Sequence, residues 1–315
     1  SSFFIFLFFI PFSLLAQNFT VSGTVKDGAN GEDMISAMVY TVDGDYGTAT
    51  NVYGYYALEL PKGKHTLLFS YSGFETFTKE IDVQGSLKLS VELKPQSEKI
   101  DVVIVKGKRA TDNFKKIDMS TVELDVKKIE KIPALLGEAD VVKAVQLMPG
   151  VSTVGEGATG FNVRGGGIDQ NLILLDEAPV FNSSHLFGFF SVFNPDAVKN
   201  VKLIKGGIPS EYGGRLSSVL DVRMKEGNAK KVSGQGGYGL IFSRLSIEAP
   251  IVKNKASFIL AGRRSYIDIL AKPALKDDFP DAKFYFYDLT AKVHYDISDK
   301  NKVYLSGYLG RDVFA

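Results

Sequence analysis

Apolar and polar residues alternate along short segments between residues 18 and 95. The segment LKLSVEL, residues 87 to 93, alternates without interruption, as a strand with one buried face does. Further segments have the same pattern, and they are NFTVSGTV, ISAMVYTV, YYALEL and HTLLFSY. Turn sequences such as DGANG, DGDYG, NVYG, PKGK and SGFE separate them. Strands at this close spacing predict a β-sandwich over residues 18–95.

The same stretch resembles a known domain family. GTVKD near its start and GTATNVYGYYALELPKGKHTLLFSYSGF further on are similar to the carboxypeptidase regulatory-like domain, a transthyretin-like sandwich. The resemblance implies no protease. A zinc peptidase needs clustered His and Glu ligands, whereas the three histidines, His65, His185 and His294, lie far apart in the sequence. We expect no metal site.

Composition removes several function classes. The net charge of +1 gives no indication of nucleic-acid binding. Cysteine is absent, which excludes disulfides, zinc–thiolate sites and a cysteine nucleophile. The apolar run from Phe3 to Ala16 is too short for a membrane-spanning helix and fits a secretory signal peptide over residues 1–16, with a clipped start and cleavage before Gln17. A buried strand is the other interpretation. An exported protein is expected.

A polar linker is predicted over residues 96–114, and it contains the segment IDVVIV, residues 100–105. The β-branched run Val102, Val103, Ile104 and Val105 favours an extended backbone. Such a segment can add to the sheet edge of a partner protein. It can equally be one more strand of a neighbouring domain.

Residues 115–228 mix helix and strand signals. GEADVVKAVQLMPG predicts a helix with acids at its start, an apolar stripe and a stop at Pro149-Gly150. NPDAVKN predicts a second helix, with Asn194 as N-cap and Pro195 at the first helical position, ahead of a short strand in VKLIKGG. The triple glycine Gly165, Gly166 and Gly167 leads into the strand-like run NLILLDE. Because no helix follows, a turn is favoured over a phosphate-binding loop.

The sequence blocks of this region resemble the plug domain of TonB-dependent outer-membrane receptors. The blocks are GFNVRG, ILLDEAPV and NPDAVKNVKLIKGGIPSEYGGRLSSVLDV. A regulatory-like sandwich ahead of such a plug is typical of receptors from the Bacteroidetes. In that family a TonB box precedes the plug, and the resemblance gives this role to Asp101, Val102, Val103, Ile104 and Val105.

From residue 229 the pattern is that of a membrane β-strand. In YFYDLTAKVHYDI, Tyr285 to Ile297, apolar residues occupy one face, and polar residues apart from Phe286 occupy the other. Three further strands are predicted in GYGLIFSRLSIEAPI, ASFILAGRRSYIDIL and KVYLSGYLG, with a bulge near Ser243-Arg244. A soluble half-buried sheet would show the same alternation. With the plug ahead, we expect residues 229–315 to be the first strands of a truncated transmembrane β-barrel of about 22 strands, in the front part of a longer polypeptide.

The resemblance implies roles for residues of the plug. Gly165, Gly166, Gly167, Gly213 and Gly214, with Gly206 and Gly207, would permit turns with unusual backbone angles. Arg164 and Arg215 could pair with carboxylates on the barrel wall or lie in solvent. The polar residues Asn182, Ser183, Ser184 and His185, among several phenylalanines, could form a ligand-facing loop or pack against the barrel interior.

The expected fold class is mainly β, with a transthyretin-like sandwich, an α+β plug and the first strands of a barrel. The expected function is import of a ligand across the outer membrane, with the N-terminal domain in the periplasm. The partners implied are TonB, outer-membrane lipid and an unidentified small molecule, glycan or peptide. No cofactor and no catalytic residue is implied, since no nucleophile, base and orienting group stand at a recognisable spacing. A secreted adhesion or carbohydrate-binding sandwich protein and a TonB-dependent signal transducer remain alternatives.

Overall fold

Strands dominate the fold of the chain. The computed structural model describes residues 18–96, 120–129, 139–153, 155, 160–239, 241–270, 283–298 and 300–315. These residues form two compact units. One contains the described residues 18–28 and 33–96, and the other contains residues 29–32 and the described residues from 120 onward.

The first unit is a β-sandwich of two sheets. Its strands are β1 Asn18–Asp27, β2 Met38–Thr41, β3 Gly47–Ala49, β4 Tyr55–Pro61, β5 Gly63–Ser70, β6 Phe77–Val83, β7 Leu87–Lys88 and β8 Val91–Leu93. One sheet has the order β4-β1-β7, with β8 also paired to β1, and the other has the order β3-β2-β5-β6. Side chains such as Val21, Leu60 and Phe69 alternate inward from both sheets and are fully buried. The predicted sandwich is therefore confirmed.

The predicted strand LKLSVEL is broken in two. Strands β7 and β8 both run parallel to β1, and residues 89 and 90 between them lie outside either strand. The backbone N–H of Thr24 in β1 donates to the hydroxyl of Ser90 at 3.1 Å. The alternation continues through this interruption because both pieces keep the same partner strand.

The second unit begins with a domain of mixed structure, residues 120–228, which we call the central domain. Its elements are β9 Thr121–Asp125, α1 Val126–Ile129, α2 Val141–Gln146, β10 Val151–Thr153, β11 Phe161–Val163, a 3-10 turn Ile168–Gln170, β12 Asn171–Leu175, β13 Ala178–Pro179, β14 Ser184–His185, a 3-10 turn Leu186–Gly188, β15 Phe190–Ser191, β16 Val198–Ile204 and β17 Ser218–Met224. The main sheet has the order β13-β12-β17-β16-β9, in which β12 and β17 are parallel and the other neighbours antiparallel.

One of the two helices predicted for the central domain is present. Helix α2 begins after Asp140, whose carboxylate accepts hydrogen bonds from the backbone N–H groups of Val142 and Lys143 and so satisfies the open helix start. Its residues Val141, Val142, Ala144 and Val145 are buried against the sheet. The apolar stripe therefore predicted the packed face correctly.

The second predicted helix is wrong. NPDAVKN forms a single turn, in which the Asn194 side chain accepts from the N–H of Asp196 at 3.0 Å, and strand β16 then starts at Val198. Pairing of β16 with both β9 and β17 gives these residues more backbone partners than a short helix could.

The last part of the second unit is an antiparallel sheet of five strands in chain order, which we call the meander. Its strands are β18 Ser233–Tyr238, β19 Phe242–Val252, β20 Ala256–Ser265, β21 Phe284–Ser298 and β22 Asn301–Phe314. The predicted bulge at Ser243-Arg244 is wrong, because the register there is regular and the irregularity lies between Pro250 and Val252. Phe242 interrupts the apolar alternation because it is buried beside Phe190 of the central domain.

Among the described residues, no helix combines the length and the apolar character that crossing a membrane requires.

Candidate functional site: the interface between the central domain and the meander

The two faces of the meander differ in polarity. In β21 the side chains of Asp288, Thr290 and Lys292 are buried, whereas those of Leu289 and Val293 are 44% and 39% exposed. The neighbouring strands follow the same rule in register. Buried polar residues of the meander are Ser246, Ser257, Arg263, Ser265, Asp288, Thr290, Lys292 and His294. The polar face therefore points inward, toward the central domain, and the apolar face points outward.

His185 is the centre of one cluster at this interface. Its Nδ1 lies 3.2 Å from the carboxylate of Asp312, and its Nε2 lies 3.0 Å from the hydroxyl of Tyr308. Because carboxylate oxygens accept hydrogen bonds, Nδ1 donates here. The ring stacks on Phe286, with centroids 4.4 Å apart. Phe286, an apolar residue on the polar face of β21, is thus a stacking partner for the central domain.

An arginine and an aspartate of the meander join the same cluster. The guanidinium of Arg263 donates through Nη2 and Nε to one oxygen of Asp288, at 2.6 and 2.9 Å. Arg263 Nη2 also donates to the carbonyl oxygen of Ser191 at 2.8 Å. Both charged side chains are almost fully buried. The ion pair therefore fixes the β15 segment of the central domain to two strands of the meander.

Two further ion pairs connect the domain to the meander. Lys292 lies 3.0 Å from Asp176, and Arg244 lies 3.1 Å from Asp196. In both pairs the meander supplies the cation and the central domain supplies the carboxylate. Asp176 is held by a tight turn between β12 and β13, in which it and Glu177 both have positive φ. The turn directs the Asp176 carboxylate toward the meander, and the same carboxylate accepts a hydrogen bond from the N–H of Met224.

The two arginines singled out in the sequence lie away from these pairs. Arg164 is exposed and donates to the hydroxyl of Ser120 at 2.8 Å. Arg215 is exposed in the loop before β17, and within the described residues no ion pair joins either arginine to the meander. In the Lys292–Asp176 and Arg244–Asp196 pairs the cation comes from the meander, whereas the sequence-based expectation paired arginines of the plug with carboxylates of the barrel wall.

The predicted glycines lie in turns at the ends of strands. Gly165 (φ +83°) lies two residues after the end of β11, and Gly214 (φ +83°) lies with Gly213 in the loop before β17. At Gly166 a Cβ would come within 2.6 Å of the Ser217 side chain, so the turn packs closely against that loop. Gly167 precedes the 3-10 turn Ile168–Gln170. The segment after the three glycines contains this single turn and then strand β12.

The residues of the predicted ligand-facing loop divide between solvent and the interface. Asn182 is exposed, and its side-chain oxygen accepts from the N–H of Ser184 at 3.3 Å, while Ser183 is half-buried. His185 is buried in the cluster described above. Beyond it, Leu186 and Phe187 both have positive φ, and Phe187 is 78% exposed. The loop therefore presents aromatic surface outward while His185 ties it to the meander.

A separate polar group lies within the main sheet of the central domain. Arg223 contacts Asp221 at 3.0 Å and Glu177 at 2.8 Å, and the hydroxyl of Tyr212 donates to Asp221 at 3.4 Å. Burial raises the pKa of Asp221, which Arg223 partly opposes, and burial raises the pKa of Tyr212 to about 12. Burial alone would lower the pKa of Arg223, but its hydrogen bond to Glu177 and its attraction to Asp221 raise that pKa overall.

The TonB-box segment Asp101–Val105 and the signal segment 1–16 lie outside the described residues. Within the described residues no group of three or more His, Cys, Asp and Glu side chains could hold a metal ion.

The interface residues of the meander were not singled out in the sequence. Arg263, Asp288, Lys292 and Asp312 carry most of its charged contacts. The signal was available, since all but Asp312 lie in predicted strands and Asp288 and Lys292 were assigned to a polar face. A charge on the inward face of a membrane-type strand needs a partner in the lumen.

Comparison with protein families identifies two domains. Residues 21–105 match the CarboxypepD_reg-like domain family, and residues 116–218 match the TonB-dependent Receptor Plug Domain family. The first match extends to residue 105 and so includes the segment Asp101–Val105. The described part of the second match contains β9 to the start of β17.

A curated relative is the TonB-dependent receptor P3 of Formosa agariphila, which is 31% identical over 127 residues. The match spans 40% of this chain and 12% of that protein.

Solved structures with partial similarity include a siderophore receptor and an alcaligin outer-membrane receptor. PirA from Acinetobacter baumannii is 18% identical with a TM-score of 0.45, over 62% of this chain and 32% of its own. FauA, the alcaligin outer-membrane receptor of Bordetella pertussis, is 14% identical with a TM-score of 0.43, over 62% of this chain and 32% of its own. The chain thus spans about a third of the length of these solved receptors.

The two domain families together define the class: a chain in which a CarboxypepD_reg-like domain is followed by a plug domain. Residues 116–218 are a TonB-dependent receptor plug domain, and a CarboxypepD_reg-like sandwich precedes it in the sequence. This confirms the two predicted domains and the mainly β fold class.

Proposed function

We propose that this receptor imports a ligand across the outer membrane with energy relayed by TonB. The observation that carries the proposal is the polarity of the meander, whose polar face packs against the plug domain while its apolar face is exposed. A sheet in a soluble sandwich buries its apolar face, so the arrangement speaks against the adhesion-protein alternative. Membrane barrels have the polarity observed here.

The height of the exposed apolar face supports its placement in a bilayer. About ten residue steps separate Tyr287 from Ile297 along the outward side of β21. At about 3.4 Å per residue this is about 34 Å along the strand, or about 26 Å across a membrane at a tilt of about 40°. Outer-membrane barrels have an apolar band of about 25 Å. Tyrosines at both ends, Tyr287 and Tyr295, fit the aromatic girdles of such a band.

In this proposal the plug closes the lumen and the sandwich lies in the periplasm. Asp101–Val105 would pair by strand addition with the periplasmic domain of TonB, and the pull would move or partly unfold the plug. The ligand would bind from outside, on the loop that contains Asn182, Ser183 and the exposed Phe187. Siderophore, cobalamin, glycan and peptide ligands all agree with this arrangement. The all-β sandwich at the N-terminus argues against a signal transducer, which usually carries a mixed α/β domain there.

Two experiments test the proposal. Fractionation of cells that express the full-length protein should recover it in the outer membrane, and recovery in the soluble periplasm or medium would reject a membrane receptor. For the TonB contact, Val103→Pro should weaken binding of the purified periplasmic domain of TonB at least about tenfold and abolish ligand uptake, because proline removes a backbone donor from the added strand. Val103→Ala, which keeps the donor, is the matched control. Unchanged TonB binding in Val103→Pro would remove this segment from the contact but leave the membrane assignment in place.

A further inference from the structure

The outward face of the meander carries two charged residues within the five described strands. Alternation and register put the other charged side chains, such as Glu248, Lys302 and Asp312, on the inward face. The two exceptions are Arg264 and Arg311, and both are exposed. The outward face therefore has positive charge and, among these strand residues, no carboxylate.

The two arginines lie at one level of the sheet. Arg264 pairs in register with Tyr287, and Tyr287 pairs with Arg311. Two strand spacings of about 4.8 Å place their Cα atoms about 10 Å apart. The guanidinium of Arg264 lies over the ring of Tyr285, 4.9 Å from its centroid. Arginine side chains on either side of one tyrosine can thus reach a single anion between them.

The level of this row is the boundary of the apolar band. The next outward positions along the strands are Leu289 and Leu309, then Ala291 and Gly307, then Val293 and Leu305. The leucine and valine side chains among them are exposed. An arginine on the lipid face at mid-membrane costs about 2–4 kcal/mol, and the cost falls to about 0–1 kcal/mol near the interface. Two arginines at the same edge of the band therefore lie at the depth of the lipid headgroups.

The end of the sheet can also be assigned. Both connections at the opposite end from Arg264 and Arg311, 253–255 and 299–300, are short, whereas the arginine end has the short connection 239–241 and the one long connection of the meander, 266–283. Membrane barrels have short periplasmic turns and longer extracellular loops. The arginine row therefore faces the outer leaflet.

We propose that Arg264 and Arg311 form a binding site for the phosphate of an anionic outer-leaflet lipid headgroup, with Tyr285 and Tyr287 supporting the guanidinium groups. The proposal rests on the proposed membrane placement of the meander. Arginine favours phosphate because its planar fork donates two parallel hydrogen bonds to the oxygens. Within the described residues neither guanidinium has an ion-pair partner, so both are available to a ligand.

The test uses the full-length receptor purified in neutral detergent. Native mass spectrometry counts retained lipid during titration with phosphatidic acid, a phosphate monoester, and with phosphatidylcholine as the zwitterionic comparison. Arg264→Gln and Arg311→Gln should each weaken phosphatidic acid retention about tenfold, and the double variant should reduce it to the phosphatidylcholine level. Lys253→Gln is the matched control, since this exposed lysine lies in a turn at the opposite end of the sheet.

The outcomes separate this site from the proposed function. If the double variant still fractionates with the outer membrane but loses phosphatidic acid, the site and the membrane placement both stand. Equal retention of phosphatidic acid by wild type and the double variant would overturn the site and leave the receptor assignment untouched. Displacement of the lipid by millimolar inorganic phosphate would show a soluble-anion site and overturn the assignment to lipid.

Discussion

Removal of Arg263 gives the sharpest test of the interface. In Arg263→Leu the buried carboxylate of Asp288 loses two hydrogen bonds and its cation, and Nε2 of His185 lies 3.5 Å from it. The Ser191 carbonyl also loses its donor. Breaking a buried ion pair from one side costs about 3–5 kcal/mol. We therefore expect the free energy needed to detach the β14–β15 segment of the plug from the meander to fall by this amount.

The assay is amide hydrogen exchange of the full-length protein in detergent, read by mass spectrometry on peptides that span residues 184–193. At about 1.4 kcal/mol per factor of ten, the cost corresponds to about 100- to 4,000-fold faster exchange. The matched control is Arg264→Leu, because this neighbouring arginine faces the opposite side of the same strand.

A second variant isolates the charge from the loss of packing. Arg263→Leu/Asp288→Leu removes both charges and should recover most of the protection, since an apolar pair can replace a buried ion pair with little loss. Exchange in Arg263→Leu within about threefold of wild type would refute the reasoning. So would a double variant that exchanges faster than the single one.

Three further predictions address other parts of the molecule. Leu305→Arg places a charge on the most exposed leucine of the apolar band, at 73% exposure. The charge should cost about 2–4 kcal/mol of folding free energy in the membrane and lower the outer-membrane yield, whereas Leu305→Ile should not lower it. Equal yields of the two variants would argue against a lipid-facing strand. Asp140→Ala removes the cap of α2 and the acceptor of the Ser191 N–H at 2.7 Å, so the free energy of unfolding should fall by about 2–3 kcal/mol. Asp140→Asn should lose less. Chemical denaturation followed by circular dichroism measures both variants, and equal losses would contradict the capping role. The pKa of Tyr212 is raised from 10 to about 12, so the stability that its neutral form contributes is complete below pH 10 and is lost as the pH rises through 12. The tyrosinate absorbance difference between wild type and Tyr212→Phe should therefore titrate near pH 12. A midpoint near 10 would contradict burial of this hydroxyl.

The local periodicities of the sequence determined the classes of structure. Alternation over residues 18–95 required strands with one buried face, and the stripe Val141, Ala144 and Val145 required a helix with one packed side. In YFYDLTAKVHYDI the alternation also fixed which side chains share a face, because successive residues of a strand point to opposite sides. Even the exception Phe286 was visible in the sequence, although its stacking partner was not.

Long-range pairing determined the features that periodicity could not. NPDAVKN has the local signals of a helix start. The backbone that follows is nevertheless extended, because β9 and β17 each form a ladder of hydrogen bonds with β16. The step at Phe242 looked like a bulge because its partner Phe190 lies far away in the sequence. Local propensity is a weak prior wherever tertiary contacts supply more free energy.

The sequence by itself predicted the plug and regulatory-like domains, the mainly β architecture and the polarity of β21, since motifs and alternation are local properties of the chain. Only the tertiary structure decided that Lys292 and Arg244 of the meander pair with carboxylates of the plug, that His185 lies buried between Asp312 and Phe286, and that Arg264 and Arg311 share one outward row. Each of these facts depends on which residues the register of neighbouring strands brings together. Register is set by pairing across the whole sheet, and no short window of sequence contains it.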